Sequence, residues 1–253
     1  MQNQPIPDLL RVSPIFAGLS TELLQQLAAM TELNEAAAGG ELCRQGALAA
    51  HLHILLAGQI TLSGTSPDGA AAVVDILGPP GHFVLAAVLT QLPYLMTARA
   101  LTAVQLLRLD AAALRALLAL EPALALSLLQ NQALDCRAMV RQVRDLKLRS
   151  TAQRLGCYLL AQVTDPLARS AAFRLPFEKG LLAGRLGCRQ ENLSRAFAVL
   201  RTVGVETSGT RVWLHDIARL QNYAAPDELA DSMRETASGE AAQMVSRSGS
   251  SAA

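Results

Sequence analysis

Four polar residues near position 190 have the types and spacing needed to read DNA bases from one face of a helix. They are Gln190, Glu191, Ser194 and Arg195. Their i, i+1, i+4, i+5 spacing puts them opposite the apolar stripe of the same stretch, which is Leu193, Phe197 and Leu200. Arginine pairs bidentately with guanine O6 and N7, carboxylates accept from cytosine N4, and amide or hydroxyl side chains contact neighbouring bases. The pattern therefore predicts a helix that enters the major groove.

A tight turn before this helix completes a helix-turn-helix pattern. Ala183 is small enough to let a second helix cross closely, and Gly187 can adopt a positive φ in the turn. The sequence predicts helices over 178–186 and 189–203, followed by a two-stranded wing within 204–214. Basic side chains beside the turn suit DNA phosphates; they are Lys179, Arg185 and Arg189. Helix-turn-helix patterns often arise by chance, so the predicted wing is what makes this one specific.

The distribution of charge also favours a nucleic-acid-binding module. The 253 residues have a formal net charge of +1, which by itself argues against bulk electrostatic binding to nucleic acid or membrane. Residues 147–201, however, contain 10 Lys and Arg against 3 Asp and Glu, whereas the segments on either side each have a balance of −3. A basic block in an acidic chain is typical of DNA binding; the alternative is a solvated basic surface.

Composition excludes several other classes of protein. An apolar fraction of 51% excludes an intrinsically disordered chain, and the excess of Ala and Leu favours helix. The sequence shows neither a secretory signal nor an apolar run of the roughly 18 residues that span a bilayer. The four cysteines have no C-x-x-C spacing, so neither a disulfide framework nor a zinc site is predicted. We therefore expect a cytoplasmic protein with reduced thiols and no membrane contact.

The sequence pattern of the N-terminal part is typical of a small β-barrel or jelly roll. Residues 1–36 are predicted as a short helical lead-in, with Ser20 as its N-cap. Beyond residue 39, short apolar runs alternate with turn residues. Strands are predicted at 53–56, 59–62, 72–77 and 104–109.

A long helical stretch follows over 110–149, interrupted where Pro122 begins a new helix. Residues at spacings of three and four form an a/d-like seam along it: Ala125, Leu128, Gln132, Cys136, Met139, Val143 and Leu146. The seam predicts a parallel coiled-coil homodimer, and the alternative is a helix packed on its own barrel. Gln132 and Cys136 are its weakly apolar members.

The predicted fold class is α+β. The predicted parts are a β-barrel or jelly-roll sensor domain with N-terminal helices (1–111), a dimerisation helix (112–148) and a winged helix-turn-helix domain (149–225). Within the last, a helix is predicted over 150–164 and a strand at 173–175. Residues 226–253, rich in Ala, Ser, Gly and acidic residues, are predicted to be a disordered tail.

Over roughly residues 10–222 the sequence resembles the Crp/Fnr superfamily of bacterial transcription regulators. The motifs that carry the resemblance include Phe16-Ala17-Gly18-Leu19-Ser20, Gly39-Gly40-Glu41-Leu42, Leu55-Leu56-Ala57-Gly58-Gln59-Ile60, Gly187-Cys188, Glu191-Asn192-Leu193-Ser194-Arg195 and Asp216-Ile217-Ala218-Arg219-Leu220. The resemblance implies a homodimeric regulator that binds double-stranded DNA and contacts RNA polymerase, and not an enzyme. The Glu-x-x-Ser-Arg form is similar to Fnr-type readers of TTG half-sites, whereas the cyclic-AMP receptor branch has Gly where Ser194 stands. This similarity implies that the DNA site is a TTG…CAA inverted repeat, read by the two recognition helices of a dimer roughly 34 Å apart.

The resemblance also bears on the effector. Family members that bind cyclic nucleotides carry a Gly-Glu pair and an Arg-Ser pair in the barrel, where this chain has Ala86 for the Glu and Tyr94-Leu95 for the Arg-Ser. A buried phosphate without its arginine loses the partner that offsets its desolvation. We therefore expect no binding of cyclic AMP. An Fnr-type iron–sulfur cluster is not expected either, because the thiols are scattered.

The barrel is left with an apolar pocket that resembles the pocket of the nitric-oxide-responsive, denitrification-type (Dnr/NnrR-like) branch, whose members are thought to use haem. The resemblance implies haem that senses nitric oxide or another diatomic gas, with His82 as the first candidate ligand to the iron. The residues expected around this effector are His82, Phe83, Tyr94, Leu95, Gln132 and Cys136. His51, His53, Cys136 and Met139 are weaker candidate ligands; a lone histidine on a strand is more often structural.

Two other functions stay open at this point. One is a regulator that needs no ligand and is governed by its abundance. The other is an enzyme with a cupin-type metal centre built from His51, His53, Glu41 and His82, for which the His-x-His pair is a weak signal.

Overall fold

The structure, a computed structural model, describes residues 4–176 and 178–226. The chain divides into two units, with the boundary after Arg137, inside its longest helix. The disorder predicted for the C-terminal tail concerns residues 227–253, which lie outside the described residues.

The N-terminal unit begins with two helices, α1 (Ile6–Arg11) and α2 (Thr21–Ala29). Ser20 caps α2 as predicted, because its hydroxyl accepts from the Leu23 amide at 3.2 Å. The strands of this unit are β1 (Thr31–Ala36), β2 (Glu41–Cys43), β3 (His51–Ala57), β4 (Ile60–Thr65), β5 (Ala71–Leu77), β6 (Gly81–Phe83), β7 (Thr97–Ala100) and β8 (Val104–Asp110), with the short helix α3 (Leu85–Thr90) between β6 and β7.

These strands form two four-stranded antiparallel sheets, which confirms the predicted jelly-roll sensor. One sheet has the order β1-β8-β3-β6 and the other β2-β7-β4-β5. The side chains of β3 alternate between two cores. Leu52, Ile54 and Leu56 pack with apolar residues of the helices, whereas Leu55 packs with residues of both sheets, in the sandwich interior.

The predicted helical lead-in over 1–36 is wrong at its end. The helix stops at Ala29, and residues 31–36 form β1, which pairs with β8 from Thr31↔Leu109 to Ala36↔Val104. The strands β2, β6 and β7 were not predicted either. Each is three or four residues long and is held by its cross-strand partners, so it carries little periodicity of its own.

Helix α4 (Ala111–Leu118) follows the strands, and α5 (Pro122–Leu148), which begins at Pro122 as predicted, runs from this unit into the next. Leu124 and Leu128 are buried in the helix-covered core of the sensor, so assigning Leu128 to an intermolecular seam was wrong. The first turns of α5 instead pack on the chain's own sensor domain, which was the alternative to a coiled coil. Within the described residues, no helix alone meets the length and hydropathy expected of a membrane span; the bent pair α4 and α5 meets it only jointly, across a 113° angle.

The C-terminal unit holds the predicted winged helix-turn-helix. Its elements are α6 (Thr151–Leu160), β9 (Ala171–Arg174), α7 (Lys179–Arg185), α8 (Gln190–Arg201), β10 (Val205–Ser208), β11 (Arg211–Leu214) and α9 (Ile217–Ala224). The strands form a sheet in the order β10-β11-β9. Helix α6 starts at a capping box between Ser150 and Gln153 but ends at Leu160, four residues before its predicted end at 164.

Candidate nucleic-acid interface and effector region

The turn between α7 and α8 depends on Gly187. This residue has a φ of +61°, and a Cβ placed on it would lie 2.6 Å from Cδ2 of Leu146, at the end of α5. The Cys188 amide closes the turn by donating to the Ala183 carbonyl at 3.0 Å. The left-handed backbone favours glycine here, and any larger residue would also have to displace the end of the Leu146 side chain.

Helix α8 separates its apolar and polar residues onto two faces. Its buried side chains are Leu193, Ala196, Phe197 and Leu200. Its exposed ones include the four residues predicted to read bases, Gln190, Glu191, Ser194 and Arg195. The Ser194 hydroxyl donates to the Gln190 carbonyl at 3.1 Å, which leaves its oxygen lone pairs to face outward with the others.

The predicted phosphate-binding residues fall into two groups. Arg189 is exposed at the N-cap position of α8, beside unpaired backbone amides that favour anions. Lys179 and Arg185 contact aromatic rings of the domain: the Lys179 Nζ lies 4.8 Å from the Phe197 ring centre, and the Arg185 Cζ lies 5.7 Å from that of Tyr158. Both side chains are therefore packed against aromatic residues of the domain.

Two arginines of the basic block have a structural role that the sequence did not reveal. The Arg154 guanidinium donates to the Leu186 carbonyl at 3.1 Å and to the Arg149 carbonyl at 2.8 Å, so it caps the end of α7 and the residue after α5. Arg149 in turn lies 3.4 Å from the Asp145 carboxylate and donates to the Ala225 carbonyl at 3.1 Å. Some of the basic side chains of residues 147–201 therefore stabilise the domain, whereas others are exposed to solvent.

The wing sheet brings together a further pair of arginines. Arg174 on β9 and Arg211 on β11 are directly opposite each other, and both are exposed. They line a cavity of about 280 Å3 together with Ala172, Phe173, Val212 and Trp213. Among residues 4–176 and 178–226, no carboxylate forms an ion pair with either guanidinium, and nearby Glu206 is 3.0 Å from His215. Strand register, which sequence patterns do not show, is what juxtaposes the two charges.

In the sensor, the residues expected around an effector do not all converge. His82 Nε2 lies 3.2 Å from the Asp135 carboxylate of α5, and the histidine side chain is only 12% exposed. Phe83 is buried and stacks on His53, with ring centres 4.8 Å apart. Leu95, in contrast, is 84% exposed.

The remaining members of that set have separate environments. The Tyr94 hydroxyl is buried and donates to the His51 carbonyl at 3.3 Å. Gln132 on α5 has a buried Oε1 that accepts no hydrogen bond from any described residue. Cys136 is exposed. The structure therefore places His82, Phe83 and Tyr94 inside the sensor, and Leu95 and Cys136 on its surface.

The four residues of the alternative metal centre are not gathered into a metal site. Glu41 pairs with Arg44 at 2.7 Å and with Arg99, at the edge of the second sheet. His82 is opposite Ile54, whose side chain faces the helices, whereas His53 stacks on Phe83 of the sandwich interior. Over the described ranges, no three His, Cys, Asp or Glu side chains could hold a metal ion.

Comparison with known proteins matches the two units to two families. Residues 33–121 match the cyclic nucleotide-binding domain and residues 153–223 match the Crp-like helix-turn-helix domain. Comparison with curated proteins gives no match.

Solved structures share this architecture over almost their whole length. A candidate cyclic nucleotide binding protein from Ruegeria pomeroyi DSS-3 is 28% identical, with a TM-score of 0.61 over 90% of this chain and 100% of its own. A candidate cAMP-binding regulatory protein from Silicibacter pomeroyi DSS-3 is 27% identical, with a TM-score of 0.60 over 88% and 99%. FixK2 from Bradyrhizobium japonicum shares the fold at 20% identity, with a TM-score of 0.62 over 76% and 96%.

A sensor of the cyclic-nucleotide-binding type followed by a Crp-like helix-turn-helix defines a DNA-binding transcription regulator. The chain belongs to the Crp/Fnr family of such regulators.

Proposed function

We propose that the protein is a homodimeric, sequence-specific regulator that binds a TTG…CAA inverted repeat under the control of a small effector other than a cyclic nucleotide. The observation that carries the proposal is the exposed polar face of α8, where Glu191, Ser194 and Arg195 stand together above the Gly187 turn. In this proposal Arg195 pairs with a guanine and Glu191 accepts from a cytosine, and the bound dimer contacts RNA polymerase.

Fluorescence anisotropy with a TTG…CAA duplex tests the reading of bases. Arg195→Ala should weaken binding roughly tenfold to a hundredfold and relax discrimination at the contacted guanine. Arg201→Ala, which removes an exposed arginine from the last turn of the same helix, is the matched control and should keep sequence discrimination. Unchanged affinity and discrimination in Arg195→Ala would refute the proposed contact.

The dimer is supported by an exposed apolar stripe on α5. Residues with a three-four alternation of spacing are exposed along this helix: Leu126, Leu129, Ala133, Cys136, Val140 and Val143. This spacing is the a/d repeat of a two-stranded coiled coil, and it shares Cys136 and Val143 with the predicted seam. Light scattering should give a dimer for the wild type and a monomer for Val140→Asp, whereas Arg137→Asp should leave the dimer intact.

The exclusion of a cyclic nucleotide is supported by Tyr94. The resemblance places the phosphate-binding arginine at this position, but here a buried hydroxyl is bonded to the backbone of His51. Leu95, in the place of the adjacent serine, is exposed. Calorimetry with cyclic AMP should therefore show no binding, and the nucleotide should not change the affinity for the duplex.

Haem, with His82 as the ligand to its iron, is a candidate for the group through which the sensor detects its effector. The pairing of His82 with Asp135 favours it, since metal-binding histidines generally donate their second ring N–H to a carboxylate. Bound there, haem would supply an iron that takes up nitric oxide or another diatomic gas. An absorption spectrum of haem-treated protein should show a Soret band that shifts on adding nitric oxide and disappears in His82→Ala; its absence in the wild type would reject this candidate.

A further inference from the structure

The inner face of the sensor sheet carries a row of three polar residues and one phenylalanine, whose arginine neither DNA reading nor the His82 haem candidate uses. Cross-strand register aligns Glu32 on β1, Arg108 on β8, His53 on β3 and Phe83 on β6. Exposure falls along the row, from Glu32 at the surface to His53, which is only 2% exposed. Directly opposed side chains lie about 5 Å apart at their Cβ atoms, so Arg108 and His53 are immediate neighbours.

Two nitrogens in this row are buried and have no hydrogen-bond partner among residues 4–176 and 178–226. They are Nε of Arg108 and Nδ1 of His53. Arg108 does make one contact, since its Nη2 lies 3.2 Å from Nδ1 and 3.3 Å from Nε2 of His51. The Arg108 Nε–H can only donate, so it needs an acceptor that the surrounding side chains do not provide.

The charge of this cluster is not balanced. Burial lowers the pKa of His53 to about 3 and lowers the pKa of His51, and Arg108 adds to both effects. Both imidazoles are therefore neutral near pH 7, while the half-buried guanidinium stays charged. Glu32 and Asp110 are the acidic neighbours, but within the described residues no carboxylate lies within 4.0 Å of Arg108, the distance that defines an ion pair. A half-buried cation without a carboxylate partner is costly, and it also disfavours a metal ion beside the two histidines.

We propose that Arg108, His53 and His51 form a binding site for a small oxyanion, either a carboxylate or a phosphate, in the sensor interior. The anion would accept from Arg108 Nε–H and from Nδ1–H of the neutral His53 tautomer, and it would neutralise the guanidinium. The inference rests on the proposed control by an effector and gives that effector a chemical class. The site adjoins Tyr94, whose hydroxyl is bonded to the backbone of His51, but its cation is Arg108 and not an arginine at position 94, where the resemblance places the phosphate-binding arginine.

The site is well placed to act on the helices of the sensor. Arg108 lies two residues before Asp110, which ends β8 and caps α4 by accepting from the Ala113 amide at 2.7 Å. A shift of Arg108 toward a bound anion would therefore be transmitted along one strand to the start of α4.

Thermal unfolding of the full chain tests the site, with inorganic phosphate and succinate as probes and sodium chloride at equal ionic strength as reference. The unfolding midpoint of the wild type should rise saturably, by about 5–10 °C when the anion exceeds its Kd a hundredfold. A response to phosphate alone or to succinate alone would identify which oxyanion class the site takes.

Arg108→Met is the decisive variant. It should raise the midpoint in the absence of anion, because it removes a half-buried charge that has no carboxylate partner among the described residues, and it should abolish the saturable response. Arg99→Met is the matched control, since this arginine is paired with Glu41, and it should keep the response. A lower midpoint for Arg108→Met with an unchanged response to anion would overturn the proposal, and so would the lack of saturable stabilisation in the wild type.

Anisotropy with the TTG…CAA duplex, measured on the same samples, separates the two proposals. Loss of the anion response with intact DNA binding in Arg108→Met is the result expected for a sensor site. An anion response in a wild-type protein that does not bind the duplex would refute the proposed DNA recognition and leave the oxyanion site standing.

Discussion

Leu146, in the last turn of α5, lies so close to Gly187 in the turn of the helix-turn-helix that a Cβ on Gly187 would displace the end of the Leu146 side chain. A Cβ on Gly187 would lie 2.6 Å from Cδ2 of Leu146. The same glycine has a φ of +61°, so it is fixed both by its own backbone and by a residue 41 positions earlier. The position of the recognition helix is therefore coupled to the last turn of α5.

Gly187→Ala should lower the free energy of unfolding by about 1–3 kcal/mol, since it combines left-handed strain with a steric clash. The loss should be smaller in a Leu146→Ala background, where the clash is gone and only the strain remains. Urea unfolding of the two single variants and the double variant measures this coupling. Equal losses in both backgrounds would show that the contact does not constrain the turn.

Replacing different arginines of residues 147–201 should affect either the stability of the domain or its DNA binding. Arg154→Leu leaves the carbonyls of Leu186 and Arg149 without their donor and should lower the free energy of unfolding by about 1–3 kcal/mol. Arg189→Leu, at the exposed N-cap of α8, should leave stability within about 0.5 kcal/mol and weaken DNA binding. Paired urea-unfolding and anisotropy measurements check both outcomes. A stable Arg154→Leu protein would contradict the bracing role.

What the sequence could predict depended on how far apart the interacting residues are along the chain. The cap at Ser20, the helix start at Pro122 and the turn at Gly187 are local signals, and each was predicted correctly. The strand β1 was mistaken for helix because its conformation is set by pairing with β8, whose residues lie 68 to 78 positions further along the chain.

The same limit applies to the sites. The polar face of α8 follows from spacing within one helix, so its residues could be named in advance. The Arg174–Arg211 and Arg108–His53 pairs arise from strand register, which no local pattern encodes. Leu128 was misassigned because helical periodicity gives a buried face without saying whether the chain itself or a second copy covers it.

The arginine pair of the wing should contribute to DNA affinity without adding sequence preference. If Arg174 and Arg211 contact phosphates, each change to Gln should weaken binding to all duplexes alike and reduce the slope of log affinity against log salt by about one. Relief of the like-charge contact should leave the fold unchanged or stabilise it by a few tenths of a kcal/mol. Arg11→Gln, with the same loss of charge in the N-terminal unit, is the control and should leave the slope unchanged. A slope that is unaffected by Arg174→Gln and Arg211→Gln would exclude them from the interface.

The buried His53 should make the sensor sensitive to acid. Its pKa in the folded protein is lowered from 6.5 to about 3, so between these values the unfolded chain binds a proton that the folded chain does not. The stabilisation is complete above about pH 6.5 and is lost as the pH falls toward 3, by up to about 1.4 kcal/mol per pH unit. Urea unfolding at a series of pH values should show this slope in the wild type and a shallower one in His53→Phe, which keeps an aromatic partner for Phe83. His215→Gln removes an exposed histidine and should retain the full slope. Parallel slopes for the wild type and His53→Phe would contradict the burial of a neutral imidazole at this position.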